Sequence, residues 1–122
     1  MGTRVAYAAS NSALAVLEVL VHLDVVTILS AYSLVEATLP DSMIEDIDVA
    51  RLNKGWNESP VPPHAQAVGD EWIRSDRSLA LRLPSAIVQG GRNLLINPTH
   101  RDFGRFEVVS VEPFAFDPRL IR

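Results

Sequence analysis

Apolar residues crowd one stretch of this chain and alternate through the others. From Ala13 to Leu23 every position is apolar except Glu18 and His22. A helix that is apolar almost all round belongs inside a protein, so the pattern predicts a buried helix over residues 10–24. Ser10 or Ser12 is placed to cap its start by accepting an orphan backbone N–H. A bilayer span needs about 20 apolar residues, and this run is too short for one. Elsewhere shorter runs read as strands. Thr3–Ala8 reads as a short strand leading straight into the helix. Tyr32–Leu39 sets Val35, Ala37 and Leu39 against Leu34, Glu36 and Thr38, and Leu79, Leu81 and Leu83 alternate with Ala80 and Arg82. Both read as strands. The second is expected to stop at Pro84-Ser85 and to resume through Ile87–Val88. Asn93–Asn97 is a short apolar run stopped by Pro98. Phe106–Val111 is a further strand, with Phe114 and Phe116 continuing an extended edge past Pro113.

The segments between are punctuated by turn formers. Asp41 or Ser42 is placed to cap a helical turn through Met43–Asp46, and another turn is expected over Asp48–Asn53. Lys54–Pro63 carries the glycine and prolines of a surface loop. Pro62 or Pro63 suits the first turn of a helix, whose Ala65, Val68, Trp72 and Ile73 follow helical spacing to Arg74. Gly69 weakens that helix by about 1 kcal/mol relative to alanine. Gln89-Gly90-Gly91 reads as a turn and His100–Gly104 as a polar loop. Strands outnumber helices. The expected class is α+β, a small mixed or antiparallel sheet with a buried central helix.

Composition narrows the function classes. At 122 residues the chain is one domain, 1–122, and 48% hydrophobic content is enough for a core. A net charge of −4 lacks the basic face of a nucleic-acid binder, so no direct contact with nucleic acid is expected. There is no cysteine, hence no disulfide and no thiolate zinc site, which fits the cytoplasm. The start lacks the basic-then-apolar order of a signal peptide.

Glu18 and His22 stand four residues apart and share a helix face, with Asn11 on the same stripe. Burying a carboxylate costs several kcal/mol unless it is paired, so Glu18 is either a satisfied structural group or is presented to a cleft. Four constellations offer chemistry. Glu18 and His22 with His64 or His100 would make a metal site, but the spacing is not that of a zinc helix, and no metal is expected. A serine nucleophile would want Gly-x-Ser-x-Gly, which Pro84-Ser85-Ala86 is not. Gly90-Gly91-Arg92 lacks the spacing of a phosphate loop and reads as a hairpin turn. Tyr7, Glu18 and Ser85 each close a strand or line the helix, and could converge in one cleft.

Several stretches together resemble the RES domain. They are Val-Ala-Tyr-Ala-Ala-Ser from Val5, Ala-Leu-Ala-Val-Leu-Glu-Val-Leu-Val-His-Leu from Ala13, Gly69-Asp70-Glu71-Trp72, Leu83-Pro84-Ser85-Ala86-Ile87-Val88, Asn93-Leu94-Leu95-Ile96-Asn97-Pro98 and Phe116-Asp117-Pro118-Arg119-Leu120. The match runs through essentially the whole chain in order. It implies the toxin half of a bacterial toxin–antitoxin pair, held by an Xre-type helix-turn-helix antitoxin. It also implies an ADP-ribosyltransferase-like fold and consumption of NAD⁺ by cleavage of its nicotinamide–ribose bond, through hydrolysis, phosphorolysis or ADP-ribosyl transfer. By the matching motifs Glu18 resembles the family's glutamate, Ser85 its serine and Tyr7 its active-site tyrosine, with His22 beside them as a contact to NAD. NAD is then the substrate, the setting is the cytoplasm without a membrane, and a homodimer is left open. The family's arginine lies upstream, in a Gly-Arg-aromatic-Asn run that does not occur here, and Arg4 is not in that context. The expectation is that the coding frame ahead of Met1 continues through that run. The alternative is a truncated relative that binds an antitoxin without activity of its own.

Overall fold

The computed structural model describes residues 5–21, 32–48, 52, 55–57 and 63–120, without the side chains of 21 and 63–65. The elements follow in the order β1 (Ala6–Ala9), α1 (Ser12–Val21), β2 (Tyr32–Thr38), β3 (Ile44–Asp46), α2 (Pro63–Ser75), β4 (Ala80–Pro84), β5 (Arg92–Ile96) and β6 (Glu107–Phe114). The class is α+β, as the alternation implied. Four strands form a mixed sheet in the order β1-β5-β4-β3, and β2 pairs with β6 in a second sheet. The β1/β5 and β5/β4 pairs are antiparallel, while β3 runs parallel to β4.

Register divides the four-stranded sheet into two faces, because alternate residues of a strand point opposite ways. Tyr7 lies across from Leu95, Ala9 and Leu83 from Asn93, and Leu81 from Leu95, so these residues share one face. Trp72 and Ile73 of α2 pack there with Leu81, joined by Val5, Ile47 and Leu95. The opposite face buries Leu79, Ala80 and Ile96 against Leu39, Met43, Ile44, Leu94 and Phe106. Leu39 and Phe106 flank β2 and β6, so this second cluster carries the two-stranded sheet. Pro84 is tolerated in a central strand because β3 has already ended opposite Arg82, where no ladder bond is required of the proline.

Several expectations need correction. Asn11, rather than Ser10 or Ser12, caps α1, its Oδ1 accepting the Leu14 N–H at 2.8 Å. Asn11 therefore belongs to the helix start and not to a polar stripe with Glu18. Asp41–Met43 form a 3-10 turn, but Ile44–Asp46 continue as β3. Pairing with β4 extends residues that local capping signals assigned to a helical turn. The strand expected to resume through Ile87–Val88 is instead the connection between β4 and β5. On α1, Leu14 is 3% exposed while Leu17 is 40% exposed, so the helix buries one side. Pro63 does open α2. Asp76 closes it at φ 54°, the left-handed conformation that ends many helices. The expectations for Thr3 and Arg4, for His22–Asp24 and for most of Asp48–Pro62 lie outside the described residues.

A polar chain ties α2 to the sheet edge. Trp72 Nε1 donates to Ser78 Oγ at 2.7 Å, and Ser78 Oγ lies 3.2 Å from Glu45 Oε1. Arg77 grips the same carboxylate with two nitrogens at 2.8 and 2.9 Å. Donating to the Glu45 carboxylate raises the pKa of the Arg77 guanidinium above its ordinary value. Among the described residues no helix is long and apolar enough to cross a membrane.

Candidate functional site

The site begins with the turn between β4 and β5. Ser85 N–H donates to Gly91 O, and Gly91 N–H donates to Val88 O, both at 3.0 Å. Gly90 adopts φ +84°, which glycine reaches without steric cost. Gly91 is needed for a different reason. A Cβ there would stand 3.1 Å from both Leu14 Cδ2 and Val88 O, and 3.4 Å from Ser85 Cβ. The small residue lets the turn close against the first turn of α1.

That closure brings Ser85 to Glu18. Ser85 Oγ accepts the N–H groups of Ile87 and Val88, each at 3.1 Å. With both lone pairs engaged, its proton is directed outward, to Glu18 Oε2 at 3.0 Å. Ser85 is 7% exposed. A hydroxyl bound in this way is a donor to the carboxylate and not a free nucleophile.

A second donor arrives from β5. Asn93 Nδ2 lies 2.6 Å from the same Oε2, a short contact of the kind a charged acceptor produces. Asn93 Oδ1 is sealed from solvent and accepts no hydrogen bond among the described residues. Among the described residues none donates to Glu18 Oε1. Glu18 is half-buried and, among the described residues, held through one oxygen. In the sequence Asn93 stands only within the Asn93–Pro98 motif, with no role of its own. Asn93 follows Arg92 and precedes the apolar Leu94-Leu95-Ile96 in β5, and the register turns it to the face of Tyr7 and Leu95.

Tyr7 lies on the sheet face that Asn93 and Glu18 use, and the residue is 77% exposed. No hydrogen bond joins it to Glu18. His22 lies outside the described residues, as does the side chain of His64. His100 is described, and it sits in the turn beyond the opposite end of β5, buried with its Nδ1 accepting the Asp102 N–H at 3.0 Å. Asn93 and Asn97 are separated by roughly 13 Å of strand at the usual rise per residue, so His100 does not join Glu18 as a third metal ligand. Among the described residues no group of three metal-ligating side chains is assembled. Gly90-Gly91 is the hairpin turn expected of it. Arg92 turns to the other face, where it borders an open hollow of about 600 Å³ with Arg82, Leu94 and Asp46. That hollow lies behind the sheet as seen from Glu18.

The RES domain model matches residues 1–117. The chain is 40% identical over 116 residues to the protein named Toxin Res of Yersinia enterocolitica, covering 93% of this chain and 76% of the relative. It is 38% identical over 125 residues to the Prs ADP-ribosylating toxin of a Sphingobium species, covering 100% and 78%. The Toxin Res of Photorhabdus laumondii is 35% identical over 124 residues, covering 100% and 79%. The similarity spans the turn, the helix and the strand that meet at Glu18, and a match of that reach makes this chain a member of the RES-domain family.

Proposed function

We propose that the protein is an NAD⁺-consuming toxin that breaks the nicotinamide–ribose bond. The observation that carries this reading is the Glu18 carboxylate, clamped through Oε2 by Ser85 and Asn93, with no donor to Oε1 among the described residues. In the reaction the bond between the ribose anomeric carbon and the pyridinium nitrogen breaks, and its electron pair returns to the ring as neutral nicotinamide. The sugar passes through an oxocarbenium-like state, as in glycoside cleavage. A fixed carboxylate stabilises that charge because it needs no reorganisation as the charge develops. Glu18 Oε1 is suited to that role, or to orienting a ribose hydroxyl and the incoming nucleophile. Tyr7 offers an exposed ring on the same face for stacking a base. Ser85 acts through Glu18. His22, four positions after Glu18 in the sequence, completes the proposed contact set.

The acceptor is water, inorganic phosphate or a protein side chain, which give ADP-ribose, its phosphorylated form or a modified protein respectively. A relative named as an ADP-ribosylating toxin supports NAD⁺ as the donor in each case. An enzyme that drains NAD⁺ acts where NAD⁺ is held, in the cytoplasm, and its producer survives only if the activity is restrained. An Xre-type helix-turn-helix antitoxin that covers the cleft near Tyr7 and Glu18 is the proposed restraint.

The test is nicotinamide release from NAD⁺ by purified protein, with product identification in the presence and absence of phosphate. The wild type is expected to release nicotinamide. Glu18→Gln is expected to lower turnover by at least about a hundredfold, roughly 2.7 kcal/mol of barrier, with its melting temperature preserved. A folded wild type that releases none, or a folded Glu18→Gln variant that matches it, overturns this reading.

A further inference from the structure

Asn93 stands at the centre of the Glu18 site in an arrangement that its own hydrogen bonding does not explain. Its Nδ2 is 2.6 Å from Glu18 Oε2, while its Oδ1 is buried and accepts nothing among the described residues. A structural asparagine inside a protein ordinarily satisfies both ends of its amide. Here one end is left dry so that the other can face the carboxylate. The reverse orientation would set an amide oxygen against a carboxylate oxygen, so Glu18 dictates which way the amide points.

The second donor sharpens the point. Ser85 Oγ reaches the same oxygen at 3.0 Å, although a carboxylate has acceptor sites on both. Two donors converging on Oε2 from β5 and from the β4–β5 turn fix the plane of the carboxylate. They leave Oε1 as the oxygen without a donor among the described residues. Both donors are rigidly based. Asn93 lies in the sheet between Ala9 and Leu83, and the Ser85 hydroxyl is locked by two backbone N–H groups.

We infer that Asn93 is a positioning residue, holding the Glu18 side chain so that Oε1 is presented to the ribose of the bound dinucleotide. The inference rests on the NAD⁺-cleaving reading above and adds to it the residue that orients the carboxylate. Ser85 alone would leave the carboxylate free to rotate about a single hydrogen bond. With Asn93 the plane is set by two.

The experiment compares wild type, Asn93→Leu and Asn93→Asp in nicotinamide release. In Asn93→Leu, kcat falls by about a hundredfold, the scale of a small misplacement of a reacting group, while KM for NAD⁺ stays near the wild-type value. In Asn93→Asp two carboxylates face each other and share one proton. Once that proton is bound it restores a donor to Oε2, so activity recovers as the pH is lowered from 8 towards 5, and the wild type does not follow this profile. A folded Asn93→Leu enzyme with wild-type kcat, or an Asn93→Asp enzyme with the wild-type pH profile, overturns the inference while leaving the proposed reaction standing. A readout without turnover separates the two readings. The Asn93 side-chain amide protons, followed by nuclear magnetic resonance, exchange slowly in wild type and faster in Glu18→Ala. If the wild type releases no nicotinamide but this difference is seen, the reaction is overturned and the clamp on Glu18 stands. If the amide is indifferent to loss of Glu18, the inference falls whatever the activity.

Discussion

Ser85 and Glu18 are separated by 67 positions in the chain, yet the serine hydroxyl donates to the glutamate carboxylate at 3.0 Å. The contact joins a helix near the start of the chain to the turn of a hairpin beyond its middle. Its strength depends on how completely the hydroxyl is constrained, with two backbone N–H groups on one side and the carboxylate on the other.

Ser85→Ala removes a donor from Glu18 and an acceptor from the Ile87 and Val88 N–H groups. Stability should fall by about 1–3 kcal/mol, the cost of leaving polar groups without partners. Nicotinamide release should fall with it. Ser85→Cys, whose sulfur is a weak donor and acceptor, should fall between. Urea denaturation and the release assay check both effects, and an alanine variant with the wild-type midpoint would show that the turn holds itself.

Gly91→Ala places a methyl group 3.1 Å from both Leu14 Cδ2 and the Val88 carbonyl oxygen. The leucine can shift but the carbonyl belongs to the turn. Overpacking of this kind costs about 1–3 kcal/mol, and the turn that carries Ser85 should move away from α1. At Gly90 a Cβ meets nothing within 4 Å. Gly90→Ala should show only the backbone cost of the positive φ, about 1–2 kcal/mol, and keep its activity. Equal losses of activity in the two variants would count against a steric role for Gly91.

Ser78→Ala takes the acceptor from Trp72 Nε1, on a side chain that is 1% exposed. A buried indole N–H without a partner costs about 1–3 kcal/mol. The urea midpoint should fall while the dependence on urea stays unchanged. The Glu18 site is built from other elements and should keep its turnover in the folded variant. An unchanged midpoint would mean that Trp72 needs no acceptor there.

Asn11→Ala removes the side-chain cap of α1 and should cost about 1 kcal/mol. Asn11→Asp should restore the loss, because its carboxylate accepts the same Leu14 N–H and complements the positive end of the helix. Denaturation midpoints of the two variants check this. Failure of the aspartate to recover stability would assign the loss to something other than the cap.

Much of this was legible along the chain. The strands at Tyr32–Thr38 and Ala80–Pro84 follow from period-two alternation, because each half-buried strand must turn one set of side chains inward. The helix opening at Pro63 follows from proline's fixed φ. Glu18 stood out as a carboxylate in an apolar run, and the matching motifs singled out Tyr7 and Ser85 beside it. What the sequence determined by itself was the family, the α+β class and the oddity of a glutamate in that helix.

Other features were decided only when distant segments met. Ile44–Asp46 became a strand because β4 offered it a parallel partner, and Ile87–Val88 became part of a turn because Gly91 returned the chain to β5. Local signals lose to pairing in such places, since ladder bonds form between residues that no short window contains. The role of Asn93 was hidden for the same reason. In sequence it is one polar residue beside an apolar run, and only the sheet register turns it towards α1, where it meets Glu18 across 75 positions. The sequence supplied the carboxylate, and the tertiary structure decided which of its two oxygens is held, because that depends on where two donors from separate elements converge.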